Sequence, residues 1–382
     1  MAESKAIAFF PWWSIEQEMT FGSVRLFQYL KKKLPGDNGL VSQNDIDDVI
    51  SAYSFRPNAR VSQCALLEVD EWKLGGSPDA VVQKMFLVRD ILGFSTLAAR
   101  SLFREHSGYC SFHNFLLVVQ RFREGQADTF AYTTRRRDGG SINLWSSDEF
   151  AFQRPIHVNT SLRPPRPQEA LVALLLRDDV PPSWFEAIRE FNHANTDSLD
   201  VPLHVETVMM KSAFEQLLGI GVRAEDFERA LKGLLPEPRS ELAERVREHS
   251  LSEKWRKAFP RSARPIYAWA REFCARRGGA AHGGRKGSHY VWSEESHLAF
   301  CSIFFPLILK RVANSRGMYE MQGDDMERLE RIDEYVVADP MGHSEDEEEG
   351  SDLEHPWVKI DNDIELHAIA RRMWPYMAGS SA

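Results

Sequence analysis

The residue types best suited to acid–base chemistry on a charged substrate lie together in Phe273-Cys274-Ala275-Arg276-Arg277-Gly278-Gly279-Ala280-Ala281-His282-Gly283-Gly284. An imidazole titrates near working pH, so His282 can take a proton from a ribose 2′-hydroxyl or give one to a leaving 5′-oxygen. A guanidinium keeps its charge throughout that range and presents a planar fork of donors. Arg277 can therefore hold phosphate oxygens whose negative charge grows in the transition state. The pair suits cleavage of RNA without a metal ion, leaving a 2′,3′-cyclic phosphate and a 5′-hydroxyl. Arg276 offers the same group at a spacing of Arg-x5-His, so two arginines compete for the role.

Arg-x4-His arises by chance about once in a chain with dozens of arginines, so the spacing alone carries little. The surroundings add weight. Between Arg264 and Tyr290 six cations (Arg264, Arg271, Arg276, Arg277, Arg285, Lys286) face one acid, Glu272, although the whole chain has a formal net charge of -9. That balance argues against coating nucleic acid through bulk charge, but a basic segment on an acidic protein can still meet a polyanion. Arg271, Arg285, Lys286 and His289 are the candidates to follow an RNA backbone. Tyr290 and Trp292 either stack bases or, as is commoner for such residues, fill a core. Glu215 either orients Arg277 or is an ordinary exposed helix glutamate.

Elements must position these groups. Residues 1–160 mix periods and read as an α+β domain, with strands at Cys64 to Val69 and Phe115 to Val119. Phe130 to Thr134 and Ile142 to Trp145 read as a hairpin around Asp138-Gly139-Gly140. Helices are predicted at Val24 to Lys33, Gln43 to Tyr53 and, in pieces, Asp79 to Glu105. The prolines at 164, 165 and 167 mark a linker over 161–168.

From there to residue 320 the apolar spacing is helical: Pro167 to Leu176, Ser183 to Asn195, Leu203 to Leu218, Ala224 to Leu235, Ser240 to His249, Pro265 to Arg277 and Ser293 to Val312. This predicts an all-α bundle. Ser183 and Ser293 fit N-caps, and Pro265 suits a first helical position. Glycines after Arg277 predict that its helix ends there. Residues 321–382 add an acidic helix from Asp324 to Val337, an acidic loop over 344–355 read as mobile, and a helix from Asp363 to Met377.

At 382 residues, 43% hydrophobic and 27% charged, the chain is long enough for two cores. Cys64, Cys110, Cys274 and Cys301 stand singly without metal-ligand spacing, so reduced core cysteines and no metal or cofactor are expected. The most apolar stretch, Phe300 to Leu309, is broken by Ser302 and Pro306 and reads as a core helix; a cytoplasmic protein without membrane contact is expected. Arg135-Arg136-Arg137 reads as exposed charge at a hairpin end, and Phe9-Phe10-Pro11-Trp12-Trp13 as a core strand. Lys73-Leu74-Gly75-Gly76 lacks a phosphate-loop ending, and no G-x-S-x-G elbow occurs.

Taken with the upstream helix, the segment ending Arg277, four residues, His282-Gly283 resembles the HEPN superfamily (higher eukaryotes and prokaryotes nucleotide-binding domain), in its bacterial anti-phage branch. Phe191-Asn192-His193-Ala194-Asn195 and Val205 to Leu218, ending Ala213-Phe214-Glu215-Gln216-Leu217-Leu218, are similar to that family's earlier long helix. The resemblance spans about Pro167 to Val312 and leaves the N-terminal domain unmatched.

It implies a homodimer in which two Arg–His pairs meet in a cleft and cut tRNA, mRNA or rRNA to arrest growth during infection. It implies His282 as acid or base and Arg277 as phosphate clamp, with the N-terminal domain as sensor or brake and room for a phage-derived or co-encoded activating partner. Gly278 stands where many active members have a polar residue. A catalytically inactive HEPN-like module that binds RNA or protein is the alternative.

Overall fold

The computed structural model describes residues 5–30, 43–56, 58–70, 78–104, 108–122, 130–132, 142–144, 152–155, 165–282, 290–341 and 355–378. They form two compact units: 1–97 with 110–180, and 98–109 with 181–382.

The first unit is α+β. Its main sheet has strands β1 (Lys5–Phe10), β2 (Met19–Phe21), β3 (Val24–Leu30), β6 (Gln63–Val69) and β7 (Val118–Phe122), in the antiparallel order β2-β3-β6-β1-β7. A second sheet joins β10 (Phe152–Gln153), β4 (Tyr53–Arg56) and β5 (Ala59–Arg60). Strands β8 (Phe130–Tyr132) and β9 (Ile142–Leu144) pair antiparallel, as the hairpin expectation required, with Tyr132 opposite Ile142. Arg135, Arg136 and Arg137, expected at the hairpin end, lie outside the described residues.

Alternation along the strands sends Ile7, Phe9, Tyr29, Cys64 and Leu66 into one cluster with Ile46, Val49 and Ile50 of helix α1 (Gln43–Ser51). Phe9, Phe10, Trp12 and Trp13 are all buried, so the aromatic run is core.

Three expectations for this unit change. Val24 to Leu30 is a strand, not a helix. A seven-residue stretch with five apolar residues around Arg25 and Gln28 is compatible with either period, and pairing along all of Gln63–Val69 decides between them. Phe112–Phe115 is a 3₁₀ turn, and the neighbouring strand begins only at Val118. The division between units falls after residue 180 instead of at the prolines of 161–168. Helix α3 (Glu169–Leu175) buries Leu171, Val172, Leu174 and Leu175, and the Gln168 N–H ahead of it donates to the carbonyl of Ser95 on α2 (Pro78–Leu97).

The second unit is helical: α4 (Pro182–His193), α5 (Leu203–Leu218), α6 (Ala224–Leu234), α7 (Ser240–Glu248), α8 (Leu251–Ala258), α9 (Pro265–His282), α10 (Glu294–Ser315), α11 (Gly323–Glu330), α12 (Ile332–Val337) and α13 (Pro356–Ala378). Helix α5 is central and packs on α4, α9 and α10. Its Phe214 lies 5.1 Å from Phe227 and 5.2 Å from Phe305, while Trp269 meets Phe273 at 5.1 Å and Phe300 at 4.7 Å. Gly219, at φ 62°, ends α5 in the left-handed conformation and returns its N–H to the carbonyl of Glu215.

Helix α10 is long and apolar enough to cross a membrane by length and composition, but 72% of its apolar window is buried inside the protein, as a core helix requires. Ser293 caps it, accepting from the Ser296 N–H at 3.0 Å. Ser183 does not cap α4, because Pro182 takes the first helical position and Pro181 precedes it. Helix α8 was not expected. The acidic helix from Asp324 divides into α11 and α12 at Arg331, and the acidic residues 344–354 lie outside the described part.

Candidate active site

Helix α9 is built from its buried half outward. Its N-terminus is capped from another element: Asp333 on α12 accepts from the Ile266 N–H at 3.1 Å and from Arg264 Nε at 2.8 Å. Ile266, Trp269, Ala270 and Phe273 then face the core. Burial pushes the Asp333 carboxyl up, and the Arg264 guanidinium opposes that shift.

Glu272 is the next polar group, and only 2% of it is exposed. It accepts from the backbone N–H of Val291 at 2.8 Å and of Trp292 at 3.0 Å, and one of its oxygens lies 3.1 Å from Nε2 of the fully buried His297. Burial holds the His297 pKa below its ordinary value, and the Glu272 carboxylate works against that shift.

Arg276, one turn further along, donates to the carbonyl of Trp292. Its guanidinium carbon lies 3.8 Å from the centre of the Tyr290 ring, and its Nε is 3.8 Å from Glu272. The Trp292 indole in turn donates to the carbonyl of Val336 at 2.9 Å. One turn of α9 thus grips the chain at Tyr290, Val291 and Trp292, just ahead of α10. Trp292 is core, and Tyr290 lies against Arg276.

The helix does not stop at Arg277. It continues through Gly278, Gly279, Ala280 and Ala281 to His282. Each interior glycine costs about 1 kcal/mol relative to alanine, a small term beside the packing of the preceding turns, and two alanines, Ala280 and Ala281, follow the two glycines. The described part of α9 includes the backbone of Arg277 and His282 but not their side chains. At about 100° per residue, positions five apart lie about 140° apart around the axis and about 7.5 Å along it. Positions 276 and 282 lie about 120° apart. Arg285, Lys286 and His289 fall outside the described residues.

Two other candidates have ion-pair partners within the helical unit. Arg271 Nε donates to Glu228 at 2.6 Å, and that carboxylate also pairs with Lys232 at 2.7 Å, so Arg271 belongs to a half-buried ion-pair cluster. The Arg277 side chain that Glu215 could orient lies outside the described residues, and Glu215 does not stand free on the surface. It pairs at 2.9 Å with Lys211, which is fully buried, because residues four apart share a helix face.

Glu272 and His297 were missed, yet Glu272 had a signal: it is the single acid among six cations, and it stands four residues before Arg276. Among the described residues no group of three or more His, Cys, Asp or Glu is placed to hold a metal ion. Comparison with family models, characterised proteins and solved structures gives no match.

Proposed function

We propose that the helical unit is a HEPN-like, metal-independent endoribonuclease that acts as a homodimer, in which His282 moves the proton and Arg277 holds the scissile phosphate. One observation carries the choice of arginine: Arg276 is committed to the Trp292 carbonyl and the Tyr290 ring, which leaves Arg277 as the cation of this turn for substrate. The angle between positions 277 and 282 gives the dimer a chemical purpose. Groups about 140° apart on one helix converge poorly on one phosphodiester, so each site takes its arginine from one chain and its histidine from the other. The basic residues Arg285, Lys286 and His289 then follow the RNA backbone, and the protein is a cytoplasmic effector of anti-phage or toxin-type immunity. The α+β unit senses the trigger, which is phage-derived or co-encoded.

Incubation with total RNA in EDTA tests this. Discrete cleavage that survives chelation and is lost in His282→Ala supports the nuclease. The same angular separation, together with Gly278 after the arginine, favours a second reading: an inactive module that binds RNA or a protein. Uncut RNA with retained binding would establish that second reading.

A further inference from the structure

The helical unit contains a cavity of about 290 Å³, at the small end of the range for ligand sites. None of the residues assigned to RNA cleavage lines it. Its walls come from the 98–109 segment, the end of α4 with the turn after it, the start of α5 and the first half of α10.

Glu206 lines this cavity and is only 8% exposed. Among the described residues its carboxylate has no hydrogen-bond or ion-pair partner, whereas its acidic neighbours are satisfied. Asp197 accepts from the Tyr109 hydroxyl at 2.7 Å, and Glu294 accepts from the Thr207 hydroxyl at 3.2 Å. Largely shielded from bulk water, this carboxylate faces the cavity, and a donor or cation entering there offsets its desolvation. The cation of the wall, Arg100, is turned elsewhere: it donates to Asn195 Oδ1, which also accepts from Ser302 Oγ at 3.1 Å, and its guanidinium carbon lies 5.7 Å from the Tyr109 ring centre. With Glu206 ionised, two carboxylates and one guanidinium line the cavity, a net charge of one negative. Met210 and Leu298 supply an apolar wall.

We propose that this cavity binds a small organic cation, seating an amidinium or ammonium group on the Glu206 carboxylate and its apolar body against Met210 and Leu298. Burial, and then the charges of Asp197 and Glu294, push Glu206 up to about 7. Asp197 after α4, Glu294 at the start of α10, and Arg100 and Tyr109 of the 98–109 segment are the charged or titratable groups around it. Binding a cation requires the ionised form, so the complex is tighter at pH about 8 than at about 6.

Calorimetric titration of the full chain with benzamidine, and with neutral benzamide as its control, tests the site. The expected result is saturable binding of one benzamidine per chain, weakened at least about tenfold in Glu206→Gln and toward pH 6, with benzamide at least about tenfold weaker still in the wild type. Gln fills the same space without the unpaired charge, so this variant is expected to fold. If it does not, Ala299→Phe occupies the cavity from a partly exposed lining position with Glu206 intact, and is expected to abolish binding. Absence of saturable heat with folded wild type, equal affinity for benzamide, or undiminished binding in a folded variant would overturn the proposal.

Discussion

The Trp292 N–H donates to the Glu272 carboxylate at 3.0 Å across twenty residues of chain, and through that bond the helix bearing Arg277 and His282 is tied to the start of the next one. The backbone at Val291 and Trp292 is therefore held by a buried charge. Replacing that charge tests the arrangement. Glu272→Ala leaves the N–H groups of Val291 and Trp292 without their acceptor and is expected to cost about 3–5 kcal/mol in urea unfolding. A loss below about 1 kcal/mol would mean that the carboxylate does not hold the chain return.

The two adjacent arginines separate by phenotype. Arg276→Ala removes the contacts to the Trp292 carbonyl and the Tyr290 ring and is expected to lower stability by about 1–3 kcal/mol. Arg277→Ala is expected to leave stability within about 0.5 kcal/mol and to reduce RNA turnover about 10²–10³-fold. Paired measurements of unfolding and cleavage on both variants check this. The opposite pattern would make Arg276 the clamp.

His297 predicts an acid sensitivity. Its folded pKa lies below the ordinary 6.5, so the native state keeps the ring neutral. The stability it contributes is complete above about pH 6.5 and is lost as pH falls below that value, because the unfolded chain takes up a proton that the folded one refuses. Glutamine can still donate to Glu272 but does not titrate. The stability of wild type relative to His297→Gln is therefore expected to decline below pH 6.5, with a slope approaching about 1.4 kcal/mol per pH unit. Parallel curves from pH about 7 to 5 would contradict it.

Glu206 predicts the reverse dependence. Its carboxyl is raised from 4.5 to about 7, so folding favours the protonated form. The stability this gives is present below pH 4.5 and lost as pH rises through 7. Relative to Glu206→Gln, the wild type is expected to be equal near pH 4.5 and less stable by about 1–3 kcal/mol above pH 7. Thermal melts across that range, without added ligand, provide the check.

Much of the helical unit was legible because one-sided burial writes a period of three to four into Leu203–Leu218 and Ala224–Leu234, while Glu294–Ser315 showed itself by a long apolar run. The polar network was less so. Whether Glu272 faces solvent or two backbone amides depends on how the chain returns twenty residues later, and local spacing carries no record of that. The end of α9 misled for a related reason. Glycine signals helix termination only as a weak local preference, and packing over four preceding turns outweighs it. Val24–Leu30 failed as a helix because cross-strand pairing is a long-range property. Glu206 is likewise invisible as a cavity residue in sequence, since its surroundings come from four separate stretches of chain.

If Arg277 of one chain and His282 of another serve the same phosphodiester, two inactive variants restore each other when mixed. Arg277→Ala and His282→Ala are each expected to leave RNA intact in EDTA. After unfolding and refolding together in equal amounts, they are expected to recover about a quarter of the wild-type rate, because half of randomly paired dimers are mixed and one of the two sites in each is whole. A mixture as inactive as its components, beside an active wild type, would place both groups in one chain; a wild type that leaves RNA uncut would contradict the nuclease itself.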